Sequence, residues 1–456
     1  ADAVGVFQVE SRAQMATLPR LKPERFYDLV IEVAIIRPGP IVGEMVHPYL
    51  RRKAGKEPVS YSHPSLEPIL KRTLGVPLFQ EQLLKIAMVA AGFTGGEAEE
   101  LRRALGFKRP EGAMEKIEIR LREGLKKNGI TGSSADTIVR YITSFALYGF
   151  PESHAASFAL LAYASAYIKT HFPAEFYTAL LNNQPMGFYH PATLVKDAQH
   201  RNQKVRPVDI QHSNWECTIE KDGAIRLGLR YVKGFRKSTA DILVRERRRA
   251  LFQSLQDFQQ RVPVDRSEMV TLAQIGALNS LGMKRREALW QVEKLSRSAG
   301  PLFSKGDSAE NDPSPLKEMN QVERLIADYA GSSLTTGPHP MALKRKDLNK
   351  KGVVPACFLK TIPSGKTIRI GGSVIVRQRP STANGFLFVS LEDETGISNA
   401  VIRPFLFEKF RVQLINSPFL IIEGKLQNQD DVVSVRAERV WTLDAFKIDI
   451  PSHDFG

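Results

Sequence analysis

Leu101-Arg102-Arg103-Ala104-Leu105-Gly106-Phe107-Lys108-Arg109 places four cations within eight residues, on a stretch otherwise made of good helix formers. Before it stands Thr94-Gly95-Gly96-Glu97-Ala98-Glu99-Glu100, in which Thr94 can cap a helix and the acids favour its positive end. The stretch therefore predicts a helix. Arg102 and Arg109, seven apart, share one face of it if it continues through Gly106, with Arg103 beside them and Lys108 extending the cluster. A guanidinium pair on a rigid helix suits a triphosphate, because the planar fork donates two hydrogen bonds and keeps its charge. The plainer reading of these residues alone is a solvated basic face.

Outward from there, residues 1–195 read mostly helical. An apolar helix is expected over 83–91, a charged amphipathic pair over 101–129 and a further amphipathic helix over 135–147. Arg37-Pro38-Gly39-Pro40 and Leu147-Tyr148-Gly149-Phe150-Pro151 break helices, and Pro173-Ala174-Glu175 restarts one. The most apolar segment, 154–168, falls short of the roughly 20 residues a membrane span needs, which predicts a buried core helix.

The chain of 456 residues suggests about three domains. With 43% hydrophobic and 25% charged residues it reads as globular and soluble, and its two widely separated cysteines fit a reducing cytoplasm. A net charge of +15 favours a polyanionic partner, nucleic acid ahead of a membrane. Cys217 and Cys357 form neither a disulfide framework nor a metal-ligand spacing. The opening Ala1-Asp2-Ala3 has no initiator methionine and no signal-peptide pattern, so the chain is expected to be part of something longer.

Residues 196–297 form a second unit. Val205-Arg206-Pro207-Val208 opens it as a short strand, and a hairpin is expected around the turn Lys221-Asp222-Gly223. Leu229-Arg230-Tyr231-Val232-Lys233-Gly234-Phe235-Arg236-Lys237-Ser238-Thr239 then looks like a helix-hairpin-helix element. Gly234 would make the tight turn that aims backbone N–H groups at a phosphate. Ser238 or Thr239 would cap the next helix, with Lys233, Arg236 and Lys237 around the anion. Arg236 stands where such a turn usually has a second glycine, and an ordinary helical turn is the alternative. A related turn is expected at Gln274-Ile275-Gly276-Ala277-Leu278. The run Arg245-Glu246-Arg247-Arg248-Arg249 ends a helix, where cations favour the dipole and need not bind a ligand.

Residues 298–352 read as linker and helix, and the character changes after them. Strands are expected at 373–379, 386–391, 397–402, 419–425 and 432–437, with a short helix near 404–410. Leu387, Val389 and Leu391 would face one side and Phe386, Phe388 and Ser390 the other. Five strands and one helix suggest an OB-type barrel over 353–445, followed by a tail over 446–456. Phe386, Phe388, Arg377 and Arg379 are stacking and charge candidates for a single strand, although aromatics on central strands are commonly core. Glu392 and Glu394 lie in a turn and are not read as metal ligands. Ser153 is a natural cap and the adjacent His154 could meet phosphate, a satisfied buried histidine being the commoner outcome. No Asp-x-Asp occurs in a setting fit for two metal ions.

Taken in order, the motifs resemble the bacterial C-family polymerases, the alpha subunits of DNA polymerase III. They are Gly5-Val6-Phe7-Gln8-Val9-Glu10-Ser11-Arg12, Arg37-Pro38-Gly39-Pro40, Phe79-Gln80-Glu81-Gln82, Leu101-Arg102-Arg103-Ala104, Tyr148-Gly149-Phe150 with Ser153-His154, His171-Phe172-Pro173-Ala174-Glu175-Phe176, and Gly337-Pro338-His339-Pro340. Asn183-Gln184-Pro185-Met186-Gly187-Phe188-Tyr189 looks like the error-prone branch, which acts in damage-induced translesion synthesis. The resemblance implies fingers over 1–195, tandem helix-hairpin-helix over 196–297 and the barrel near the end. It implies that Arg102 and Arg103 contact the incoming triphosphate, with Ser153 and His154 nearby. It also implies primer-template DNA as partner, together with accessory translesion factors. Magnesium would be held by aspartates of a palm that precedes Ala1. Leu302-Phe303 keeps part of a sliding-clamp peptide but lacks its glutamine, so any clamp contact would be weak. The replicative alpha subunit itself, and a non-catalytic scaffold of DNA-binding modules, are the alternatives.

Overall fold

The computed structural model describes residues 2–36, 42–104, 113–145, 150–297, 314–380, 383–429, 432–443, 446, 448 and 452–455. Arg37 to Pro40, Leu105 to Arg109, Leu147 to Gly149 and the Leu302-Phe303 pair lie outside the described residues. The chain forms two compact units, and the boundary between them falls at Tyr167–Ile168, inside a long helix.

The first unit is helical: α1 Arg12–Leu21, α2 Phe26–Ile35, α3 Val42–Lys53, α4 Glu67–Leu70, α5 Gln80–Ala91, α6 Gly95–Ala104, α7 Ala113–Lys127, α8 Gly132–Phe145 and α9 Glu152–His171. α5 is its central brace. Leu83, Ile86, Ala87 and Ala90 are buried against Leu101 of α6, Leu121 and Leu125 of α7 and Ile138 and Ile142 of α8. Each buried Leu or Ile contributes about 1.5–3 kcal/mol over its exposed state. A second core gathers Val30, Ile31 and Ala34 of α2 with Phe79 and with Ala155 and Ala159 of α9.

α9 departs from the expected buried helix. It buries Ala155, Ala159 and Ala162, while Leu160, Leu161, Tyr163 and Tyr167 are about half exposed. Its apolar residues are spread around every side rather than gathered in one stripe, so packing one side leaves the others bare.

The second unit begins with α10 Pro173–Asn182 and α11 Pro191–His200. Three two-residue strands follow, β1 Val205–Arg206, β2 Thr218–Ile219 and β3 Ile225–Arg226, in the order β1-β3-β2. The expected hairpin is the antiparallel pair β2–β3, and β1 adds to β3 in parallel. Then come α12 Lys237–Arg249, α13 Leu255–Arg261, α14 Arg266–Ile275, α15 Arg285–Arg297, α16 Gln321–Ser332 and α17 Pro340–Lys350.

The barrel strands are β4 Thr367–Gln378, β5 Leu387–Asp393, β6 Gly396–Ile402, β7 Phe419–Gln429 and β8 Val432–Thr442, with α18 Pro404–Lys409 and α19 Arg411–Asn416 between β6 and β7. Their order is β5-β6-β8-β7-β4, and β4 pairs back onto β5, which closes five strands into a barrel. Leu387, Val389 and Leu391 fill its core with Val435 and Ala437, as their alternation requires. β4 starts earlier than its sequence suggests because Gly371 and Gly372 weaken the strand pattern. A Cβ on Gly372 would sit 2.5 Å from the Glu392 carbonyl oxygen, so the close approach of β5 demands glycine there. A last strand, β9 His453–Phe455, lies parallel to β4 where β7 leaves it.

A buried polar seam joins the barrel to the helices before it. Lys196 of α11, 3% exposed, donates to the Gly337 carbonyl and to Gln199 Oε1. His339 caps α17 by accepting from the Met341 N–H at 3.1 Å, and its Nε2 lies 3.5 Å from the buried Glu392 carboxyl. Arg345 of α17 binds Asp393 and Glu394 in the β5–β6 turn. Burial holds Lys196 down to about 8 and His339 down to about 3, and it lifts Glu392 to about 8. Burial disfavours the charged ring, and with Nδ1 accepting the neutral ring carries its proton on Nε2. Glu392 and Glu394 belong to this seam.

Candidate nucleotide and nucleic-acid sites

α6 starts as its sequence requires. Thr94 Oγ1 accepts from the Glu97 N–H at 3.3 Å, and Glu97 Oε2 accepts from the Thr94 N–H at 2.7 Å. Leu101 and Ala104 turn inward onto α5 and α7, which leaves Arg102 and Arg103 on the solvent side with half or more of each side chain exposed. Glu99 engages both. It accepts from Arg102 Nε at 2.8 Å and Nη2 at 2.6 Å, and from Arg103 Nε at 3.4 Å. The Arg102 hydrogen bonds, ahead of any other cause, hold Glu99 down to about 2. This partner was legible as an i, i+3 and i, i+4 spacing but went unread. The result is a fork of two arginines aimed at solvent, held by one exposed carboxylate that an anion can replace.

Ser153 and His154 sit at the start of α9, which α5 also positions. The Gln80 N–H donates to the Phe150 carbonyl at 3.1 Å, and the Glu152 N–H to Glu81 Oε2 at 2.9 Å. The helix begins at Glu152, so Ser153 lies within its first turn and is not the residue that precedes it. His154 is exposed, its ring 4.2 Å from that of Phe158 and 5.3 Å from that of Phe150. α5 therefore braces both the arginine fork and this Ser-His pair. Tyr27 adds to the α9 start, donating to Glu152 Oε1 at 2.6 Å beneath the Arg72 guanidinium.

In the hairpin, a single 3-10 turn at Leu229–Tyr231 stands where a full first helix was expected. Gly234 turns with φ +75 and lies exposed, with open space where a side chain would point. Lys233 Nζ donates to the Tyr329 carbonyl at 3.1 Å, and Lys237 opens α12 exposed, without an ion-pair partner among the described residues. The cap is Arg236 rather than Ser238 or Thr239, and its side chain makes no cap hydrogen bond. Its N–H and its guanidinium instead grip Glu268 of α14, at 2.9 to 3.0 Å. Glu268 is 2% exposed and also caps α14 through the Asp265 N–H. Arg236 thus ties the first hairpin to the second, where α14 ends at Gly276 in the left-handed region. Arg247 is likewise engaged, donating to the Ile210 and Ser213 carbonyls and to Asn214.

Of the barrel candidates, Arg377 is 8% exposed, and each of its guanidinium nitrogens has a protein partner: the Leu414 and Ser417 carbonyls, Ser452 and Asp454. The β4 register on β5 shifts between Val374 and Val376, so alternation cannot be counted through it to place Arg377 outside. Arg379 remains 40% exposed, its guanidinium 4.2 Å from the Phe407 ring centre and 3.8 Å from Glu408. Phe386 is half-buried in the turn before β5 rather than within the strand.

The family described as the bacterial DNA polymerase III alpha subunit finger domain matches residues 1–129, and the helix-hairpin-helix motif matches residues 202–288. A closed barrel follows these two modules along the chain, and with the relatives below the chain belongs to the bacterial C-family DNA polymerases. Within that family it falls in the error-prone branch. It is 46% identical to an error-prone DNA polymerase of Methylococcus capsulatus, over 96% of this chain and 44% of that protein. It is 45% identical to error-prone DNA polymerase 2 of Agrobacterium fabrum, over 100% of this chain and 43% of that one. The chain therefore spans less than half the length of these relatives. Among solved structures, asparaginyl-tRNA synthetase from Pyrococcus horikoshii matches 22% of this chain and 24% of its own, at 25% identity and a TM-score of 0.19. No described helix is long and apolar enough to cross a membrane.

Proposed function

We propose that this chain supplies the nucleotide and DNA grips of a cytoplasmic error-prone DNA polymerase acting in translesion synthesis. The observation that carries the reading is the exposed Arg102–Arg103 fork on α6, inside the segment that matches the polymerase finger domain. Two guanidinium groups fixed on a braced helix neutralise the charge of a triphosphate and hold it in line for attack by a primer hydroxyl. In the same proposal Ser153 and His154, at the start of α9, contact that nucleotide. Gly234 offers its backbone N–H, and Lys233 and Lys237 offer cations, to the duplex phosphates. Arg236 supports that hairpin from within.

Among the described residues no group of three or more His, Cys, Asp or Glu could hold a metal ion. Following the family resemblance, the proposal assigns magnesium to palm aspartates outside this chain. There it would neutralise charge on the attacking and leaving oxygens. A weak sliding-clamp contact through Leu302-Phe303 and recruitment by accessory translesion factors are parts of the same reading. The test is single-nucleotide insertion by the full-length protein. Arg103→Ala should raise the nucleotide KM or lower kcat while leaving duplex affinity intact. Unchanged insertion kinetics would remove the assignment.

A further inference from the structure

The residue before α9 cannot cap it. The helix begins at Glu152 after Pro151, whose side chain accepts no hydrogen bond, so the first N–H groups need acceptors from elsewhere. Glu81 of α5 supplies one, its Oε2 accepting from the Glu152 N–H at 2.9 Å. The Glu152 side chain is held in turn by two other elements. Its Oε1 accepts from the Tyr27 hydroxyl of α2 at 2.6 Å, and Arg72 Nη1 lies 3.9 Å from the same oxygen.

These contacts close into a circuit. The Arg72 guanidinium lies 3.8 Å from the centre of the Tyr27 ring. Arg72 belongs to the 3-10 turn Lys71–Thr73, where the buried Thr73 Oγ1 accepts from Gln82 Nε2 at 2.9 Å. Gln82 adjoins Glu81 on α5 and caps that helix, accepting from the Leu78 and Phe79 N–H groups at 2.8 and 3.1 Å. The path runs from Glu81 through Glu152, Tyr27, Arg72, Thr73 and Gln82 and so returns to α5. Every member belongs to the first unit.

We propose that Tyr27, Glu81 and Glu152 are positioning residues for the incoming nucleotide, and that the circuit fixes Ser153 and His154 where they contact it. A helix start anchored on a carboxylate and a phenol hydroxyl cannot slide or rotate without stranding a charge-assisted hydrogen bond. Ser153 and His154 follow Glu152 directly in sequence and move with it. Leu101 of α6 packs on the same α5, so one helix sets both the arginine fork and the Ser-His pair. The inference rests on the proposed nucleotide role of Ser153 and His154. It assigns the precision of that contact to residues that act through the pair.

The test is single-nucleotide insertion by the full-length protein, in the wild type and in a Ser153→Ala/His154→Ala background. Tyr27→Phe keeps the ring beside Arg72 and removes only the hydroxyl. It should raise the nucleotide KM about tenfold with little change in kcat. In the background that lacks the Ser-His pair it should cost less than about twofold. Glu152→Ala should match Tyr27→Phe. Glu152→Gln keeps an oxygen for the hydroxyl and should recover most of the loss, because the ion pair with the exposed Arg72 is weak. A general loss of stability would lower insertion alike in both backgrounds, and that result overturns the inference, as does a wild-type KM in Tyr27→Phe. If Ser153→Ala/His154→Ala itself inserts like the wild type, the proposed contact falls and the inference with it. If that double variant loses insertion and Tyr27→Phe keeps it, only the inference falls.

Discussion

The arginines of α6 and those of the hairpin and barrel have the same chemistry and opposite circumstances. Arg102 and Arg103 point to solvent and share one exposed acid on their own helix. Arg236 and Arg377 reach across the fold to groups that are themselves buried, the Glu268 carboxylate in one case and the Leu414 carbonyl in the other. A surface ion pair exchanges readily for an anionic ligand, whereas a buried acceptor cannot be left without its donor. Availability for a ligand is therefore set by the partner and not by the arginine.

The largest effect that would break this contrast is on activity. Replacing both Arg102 and Arg103 by Ala should lower kcat/KM for insertion by the full-length protein about 100-fold or more, with the thermal midpoint unchanged. A large fall in that midpoint would place the pair with the structural arginines. Arg377→Ala should do the reverse, costing the barrel about 3 kcal/mol in urea unfolding by stranding the Leu414 and Ser417 carbonyls. A smaller and pH-dependent loss is expected for Arg236→Ala. Burial alone would raise Glu268, but hydrogen bonds from Arg236 and from the Asp265 N–H bring it below the ordinary glutamate value. Its link contributes fully above that ordinary value and is lost as pH falls through the lower folded value. The variant keeps the burial and the N–H bond of residue 236 but loses both guanidinium bonds, so its melting deficit should be greatest near neutrality and shrink toward acid. The smallest effect sharpens the comparison: Glu99→Gln should free the fork and lower the nucleotide KM by no more than about threefold.

The local features were open to reading. Thr94 and Glu97 announced the start of α6, Gly234 the turn before α12, and the alternation from Leu387 to Leu391 the inward face of β5. α9 misled because composition reports how apolar a helix is and not how much of it finds a neighbour. β4 was read short because its glycines look like a break until β5 is seen to approach them. At the site, the exposed fork was legible from helix spacing, and so was its Glu99 partner. The circuit around Glu152 was not, since Tyr27 and Glu152 lie 125 residues apart and only the packing of α2 with α9 brings them together.

Helix starts, strand faces, the excess of positive charge and the order of motifs that marks the family are all set locally, by the order of residues. Each of these depends on neighbours within a few positions or on composition, where backbone geometry leaves few alternatives. Which cations remain at the surface with only an exposed acid for a partner depends on the packed fold. Arg236 finds Glu268 at a separation of 32 residues and Arg377 finds Leu414 at 37, and no local rule of spacing reaches that far.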